Sequence, residues 1–79
     1  MASRVQVSQV SGEDLHEFIR DHAEEVDGAW LCRASLIAYL RACGVENPKN
    51  LRTRLVKELT RQGLVERRNP RSRRLYILS

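Results

Sequence analysis

"NPKNLRTRLVKELTRQGLVERRNPRSRRLYI", residues 47–77, contains a complete helix followed by a change of hydrophobic period. Asn47 is a favourable N-cap residue, and Pro48 suits the first position of a helix. Gly63 is of the residue type that most often follows a helix end. Both ends of a third helix are therefore predicted, with its start at Pro48 and its end just before Gly63.

The segment after that helix alternates between apolar and polar residues, as short strands do. "LVERR" (64–68) and "RRLYILS" (73–79) are two strand candidates, and "NPRS" (69–72) separates them. Asn followed by Pro fits the first two positions of a type I turn. The pattern predicts a two-stranded hairpin with Arg71 at its tip, which we call the arginine hairpin.

Upstream, an amphipathic first helix is predicted from Ser11, a good N-cap, with Asp14 in its first turn. Its expected length is about four turns, and Asp27 and Gly28 are expected to end it. The apolar stripe of this helix consists of Leu15, Phe18, Ile19, His22 and Val26.

Between the first and third helices, "AWLC" (29–32) is expected to form a brief strand or an extended link. "RASLIAYLRAC" (33–43) is expected to form the second helix, with Gly44 after its end. Its buried candidates are Leu36, Ile37 and Leu40. Residues 1–10 are expected to be either a tail or an extra strand.

The order helix, strand, helix, turn, helix and hairpin is that of a winged helix-turn-helix. We therefore expect an α+β domain over residues 11–79, with three helices and a two- or three-stranded antiparallel sheet. Trp30 is expected to fill the core between the helices.

"LTRQGLVERRNPRSRRLYILS", residues 59–79, resembles the end of the recognition helix and the wing of MarR-type transcriptional regulators. The resemblance covers residues 30–79 by pattern and implies a DNA-binding winged helix. MarR-type proteins dimerise through long flanking helices, and residues 1–79 are expected to have no room for such helices. Leu40 lies four residues before Gly44, where helix-turn-helix motifs often have alanine, so a non-standard turn is expected.

Charge is divided unevenly along the chain. The net charge is +4, but residues 1–48 contain four basic and eight acidic side chains, whereas residues 49–79 contain ten basic and two acidic ones. Such asymmetry favours a polyanionic partner. No apolar run is long enough for a membrane span, and no signal-peptide segment is apparent, so an intracellular protein of the cytosol, nucleoid or nucleus is expected.

The third helix carries its predicted site opposite a buried stripe of Leu51, Leu55 and Leu59. Arg, Lys and Asn read base edges in the major groove, and Thr can contact thymine methyl groups. Arginines of a wing would contact backbone or minor groove. The candidate DNA-binding residues are Lys49, Asn50, Thr53, Arg54, Lys57, Arg61, Arg67, Arg68, Arg71, Arg73 and Arg74. The face of the helix that carries them is expected to contain no acid.

These observations predict binding of double-stranded DNA, in transcription regulation or DNA architecture. The alternative is a winged-helix module for protein interaction within a larger nucleic-acid-processing complex, and RNA binding is a third possibility. A homodimer is possible, because one small domain makes few base contacts.

Catalytic and metal-binding patterns are missing from the sequence. No nucleophile motif or phosphate-binding glycine loop is present, and neither His16, His22, Cys32 nor Cys43 has zinc-ligand spacing. We expect no enzyme activity, metal, cofactor or small-molecule substrate. The two cysteines are expected to be reduced thiols.

Overall fold

The computed structural model describes residues 10–69, 71 and 74–78. This part of the chain is α+β, with three helices and one four-stranded antiparallel sheet of order β1-β2-β4-β3. The elements are α1 (Gly12–Asp21), β1 (Ala23–Val26), β2 (Ala29–Cys32), α2 (Leu36–Ala42), α3 (Pro48–Arg61), β3 (Val65–Glu66) and β4 (Leu75–Ile77). The expectation of a tail or strand over residues 1–10 falls outside the described residues except at Val10, which lies in no strand and packs half-buried against the core.

The first helix is shorter than predicted, and a hairpin takes the place of its second half. α1 ends at Asp21, and residues 23–26 pair with residues 29–32 as antiparallel strands. Asp27 and Gly28, with φ of 53° and 82°, form the two-residue turn between them. A turn with positive φ at both central residues matches the twist of a hairpin, and Asp-Gly is a preferred sequence for it. The prediction of at most three strands is wrong for this reason.

The start of α1 and both ends of α3 lie where they were predicted, but the side chain of Asn47 forms no cap hydrogen bond at the start of α3. Ser11 Oγ accepts a hydrogen bond from the backbone N–H of Asp14 at 3.1 Å, and the Asp14 carboxylate accepts one from the N–H of Ser11 at 3.1 Å. α3 begins at Pro48 and is followed by Gly63, which has φ of 77°. The N–H of Leu64 donates to the carbonyl of Leu59 at 3.0 Å, which completes a Schellman cap.

The core lies between the three helices and one face of the sheet. Its most completely buried members include Leu15 and Ile19 of α1, Leu59 of α3, Val65 of β3 and Leu75 of β4. α3 contacts α1, α2 and β3, so it is the central helix of the packing. The arginine hairpin is tied to this core because β4 pairs with both β2 and β3.

Trp30 is not the core residue that was expected, since its side chain is 53% exposed. It lies on the β1–β2 hairpin opposite Glu25. Residues 23–26, which were predicted to continue α1, instead form the strand that pairs with residues 29–32. Leu36 and Leu40 of α2 are buried as predicted, whereas Ile37 is half-buried.

Two further properties concern the cysteines and the membrane. Cys32 is buried, Cys43 is half-buried, and both are free thiols. Burial raises the pKa of the Cys32 thiol. None of the helices in the described ranges has the length and apolar character needed to cross a bilayer.

Candidate nucleic-acid interface

α3 presents a broader buried surface than the predicted leucine stripe. Leu55, Val56 and Leu59 are buried, whereas Leu51 is half-buried. Val56 lies about 100° around the helix from Leu55, so the buried surface extends to that side. The extra width follows from the position of α3, which packs against two helices and a strand.

The outer face of α3 is exposed over the length of the helix. Its exposed polar side chains are Lys49, Asn50, Thr53, Arg54, Lys57, Thr60 and Arg61. Because Val56 is buried, the direction opposite the core shifts toward Asn50, Lys57 and Arg61. Thr53 lies closer to the flank, where it lines an open groove with Arg67. Asn50 and Lys57 therefore point outward as predicted, and Thr53 points toward the arginine hairpin.

The arginine hairpin pairs β3 with β4 in the register Val65↔Ile77 and Glu66↔Tyr76. The carboxamide oxygen of Asn69 accepts a hydrogen bond from the backbone N–H of Arg71 at 3.0 Å. This contact closes an Asx-turn at the start of the connection, which agrees with the turn signal in the sequence. Arg67, Arg68, Arg71 and Arg74 are exposed, while Arg73 falls outside the described residues, as does Pro70 of the predicted type I turn.

Two of the predicted arginines are engaged by carboxylates of their own element. Arg61 pairs with Glu58 on α3, so the prediction that this face has no acid is wrong near its C-terminal end. Arg68 pairs with Glu66 at 2.8 Å, and its guanidinium lies 4.0 Å from the centre of the Tyr76 ring. Both ion pairs are solvent-exposed and weak, so they reduce the local positive charge without preventing a stronger partner from binding.

Other predicted cations are exposed and form no ion pair within residues 10–69, 71 and 74–78. They are Lys49, Arg54, Lys57, Arg67 and Arg71. Thr60 differs from them because its hydroxyl donates to the carbonyl of Val56 at 2.7 Å. The hydroxyl proton of Thr60 is therefore already engaged in a hydrogen bond within the helix. The positive charge available to a partner lies on α3 and on the arginine hairpin.

An open groove joins these two elements. Its lining includes Arg52, Thr53, Lys57 and Arg61 from α3, and Arg67 from the arginine hairpin. Arg52 was absent from the predicted site because it lies on the inner side of α3, three residues before Leu55 and four before Val56. A charged side chain among apolar positions of a helix was the signal that could have revealed it.

The next feature is the arrangement of possible metal ligands. Within the described part of the chain, no group of three or more His, Cys, Asp or Glu side chains is placed to hold a metal ion. Most polar groups of the candidate interface are guanidinium, ammonium, amide and hydroxyl donors, while Glu58 and Glu66 add carboxylates beside Arg61 and Arg68. Such a surface can bind phosphate groups and the acceptor edges of bases.

Comparison with known proteins adds no relative to this description. No protein-family model, no curated protein and no solved structure matches the chain. The resemblance of residues 59–79 to MarR-type regulators accordingly stays a prediction from those residues.

Proposed function

We propose that this protein is a winged helix-turn-helix domain that binds double-stranded DNA. In this proposal α3 enters the major groove, and the arginine hairpin is the wing on the adjacent backbone or minor groove. The order of the elements supports the fold, because β2, β4 and β3 form a three-stranded sheet beside three helices. β1 is then an additional edge strand.

The observation that carries the proposal is the groove in which cations of α3 and of the arginine hairpin come together. Lys57 and Arg67 belong to elements that are separate along the chain, yet they line the same open surface. A charge run that served only to keep one helix hydrated would not require a second basic element beside it. Two basic elements at one groove fit a partner that presents phosphates on both sides of a recess, as a DNA groove does.

The dimensions of α3 agree with this role. The distance along the helix from Lys49 to Arg61 is about 18 Å at 1.5 Å per residue, and the major groove is about 12 Å wide. Asn50 and Lys57 project from the middle of the outward face. Asn is suited to adenine, and Lys is suited to guanine. These two side chains are proposed to meet base edges, with Thr53 on the flank toward the wing.

The repelling arginines of the hairpin supply the electrostatic part of the proposal. Arg67, Arg68 and Arg71 lie in the connection between the paired strands β3 and β4, which keeps their charges closer together than a disordered tail would. Phosphate groups relieve this repulsion and release counterions on binding. Transcription regulation or DNA architecture is the proposed biological role.

The test is fluorescence anisotropy with a labelled duplex of about 20 base pairs at several salt concentrations. Wild type is compared with Lys57→Gln and with Arg20→Gln, which removes an exposed positive charge from α1. We expect binding at low salt, weaker binding by Lys57→Gln, and little change in Arg20→Gln. Absence of binding at 50 mM salt, or equal losses in both variants, would refute the proposal.

A protein-interaction module within a nucleic-acid-processing complex is the second candidate. The observation that favours it is the exposed Trp30, which lines an open, largely apolar groove with Leu64 and Ile77. The duplex experiment separates the two candidates, because a module of this second kind need not bind DNA by itself.

We also propose a homodimer on DNA, since paired half-sites supply the specificity that one small domain lacks. The alternating segment "RVQVSQV", residues 4–10, is the proposed element of pairing across the two-fold axis, and all of it except Val10 lies outside the described residues. Sedimentation with and without a palindromic duplex tests the dimer. Monomers under both conditions would contradict it.

A further inference from the structure

Two arginines from different elements line the same two grooves beside the arginine hairpin. Arg52 lies in the second turn of α3, and Arg67 directly follows β3. Both line the groove between α3 and the arginine hairpin, and both also line a neighbouring groove that Ser35 and Leu75 border. Among the residues that the structure describes, neither groove is lined by an acidic side chain. Two like charges therefore share a recess that offers them no carboxylate.

The Nε–H donor of the Arg52 guanidinium has no acceptor among the described residues. Arg52 is half-buried, and its Nε is shielded from solvent without a hydrogen-bond partner in the described structure. A buried donor that lacks an acceptor is unfavourable. Arg61 and Arg68 differ, since each has a carboxylate on its own element. Among the described residues, no carboxylate pairs with Arg52 or Arg67.

A simpler explanation is that Arg52 only packs its aliphatic stem against α3, as long basic side chains often do. That explanation accounts for the partial burial. It does not account for the shared position with Arg67, because a packing role needs no second guanidinium beside it. An oxyanion explains both observations, since a phosphate presents several oxygens to planar N–H forks.

We propose that Arg52 and Arg67 bind one phosphate group of the DNA backbone at the junction of α2, α3 and the arginine hairpin. A rotation of the Arg52 side chain that exposes its Nε–H would give this group a phosphate oxygen as acceptor. Ser35 Oγ already accepts from the N–H of Ala38 at 3.1 Å, which leaves its hydroxyl proton to donate to the same phosphate. This inference rests on the proposed DNA binding and adds Arg52 to the interface.

Substitution of arginine by lysine tests the site, because lysine keeps the charge and removes the planar fork. Arg52→Lys is compared with Arg20→Lys, an exposed arginine of α1 that has no ion pair in the described structure and lines neither groove. At fixed salt we expect Arg52→Lys to weaken duplex binding about 5- to 10-fold. Arg20→Lys should change it less than about 2-fold. Equal effects of the two substitutions would overturn the inference.

Arg67→Lys is the second variant. Because Arg67 is exposed, its substitution should leave the fold intact, so this variant tests the site even if Arg52→Lys misfolds. It should also weaken duplex binding more than Arg20→Lys does. Wild type that binds the duplex, together with Arg52→Lys and Arg67→Lys variants that bind as wild type does, would refute the phosphate site alone. Wild type that fails to bind the duplex would refute the proposed function as well.

NMR of the arginine Nε–H groups in wild type separates backbone phosphate from free phosphate. The Arg52 resonance should shift when duplex is added at micromolar concentration, and inorganic phosphate should produce the shift only at millimolar concentration. A shift with micromolar inorganic phosphate would overturn the assignment to the DNA backbone. No shift with either probe would overturn the site itself.

Discussion

Removal of one charge from the tip of the arginine hairpin should change how strongly salt weakens DNA binding. Arg71→Ala removes an exposed cation that forms no ion pair among the described residues. The backbone N–H that donates to Asn69 is retained, so the turn should persist. Asn50→Ala is the matched control, because it removes an exposed neutral side chain from the proposed base-reading face of α3.

The expected salt dependence of DNA affinity follows from the number of exposed cations that have no ion pair in the described structure. These are Lys49, Arg54, Lys57, Arg67 and Arg71. If each neutralises one phosphate, log affinity should change with log salt with a slope of about −4.5, at about −0.9 per phosphate. Between about 50 and about 200 mM salt, wild-type affinity should then fall roughly 500-fold. Loss of one contact gives a slope of about −3.6 and a fall of roughly 150-fold.

The assay is anisotropy with one preferred and one random duplex at four or more salt concentrations. Arg71→Ala should bind both duplexes more weakly, with the flatter slope. Asn50→Ala should keep the wild-type slope and lose about 1–3 kcal/mol of discrimination on a preferred site, if the protein is sequence-specific. Equal slopes for the three proteins would refute the placement of the phosphate contacts.

Three other changes test the electrostatics, the turn and the core. Glu58→Gln releases Arg61 from its ion pair and should tighten duplex binding at low salt, which anisotropy would detect; unchanged or weaker binding would count against the interface. Gly28→Ala forces a side chain into a left-handed turn at φ 82° and should cost roughly 1–2 kcal/mol in a denaturant titration, whereas an unchanged midpoint would contradict this hairpin geometry. Because burial raises the pKa of the Cys32 thiol, Cys32 should stay protonated and be alkylated more slowly than Cys43 in the folded protein. Mass spectrometry that found equal rates in the native state would contradict this difference.

Elements with local signals at both ends could be predicted from the sequence. α3 is the clearest case, because Pro48 at its start and Gly63 after its end act through their own backbone preferences. The N-terminal cap of α1 is equally local, since Ser11 and Asp14 satisfy each other's backbone N–H groups. Such signals need no knowledge of the tertiary structure.

The β1–β2 hairpin was missed because two local patterns compete over residues 22–26. His22 and Val26 continue the helical stripe of α1, while Asp27 and Gly28 favour a hairpin turn. Pairing of β2 with β4 decides between them, because a strand already in the sheet offers its other edge to residues 23–26. That pairing joins residues more than 40 positions apart and is not visible in a local pattern.

The chemical character of the candidate interface was predictable, but its internal contacts were not. Composition and helical spacing place Lys57 and its neighbours on an exposed basic face. The pairing of Arg61 with Glu58 depends on side-chain geometry, and the half-burial of Arg52 depends on how α3 packs against the rest of the domain. The sequence therefore predicts which charges are present, and the tertiary structure determines which of them remain available.

The most direct measurement for the proposed function is an amide NMR titration of the protein with a short DNA duplex. The largest shifts should fall on the outward face of α3, at Asn50 and Lys57, and on the arginine hairpin, at Arg67 and Arg71. Amides of the acidic α1 and of the β1–β2 hairpin should change little. Shifts concentrated around Trp30, or no shifts at low salt, would contradict DNA binding by α3 and the arginine hairpin.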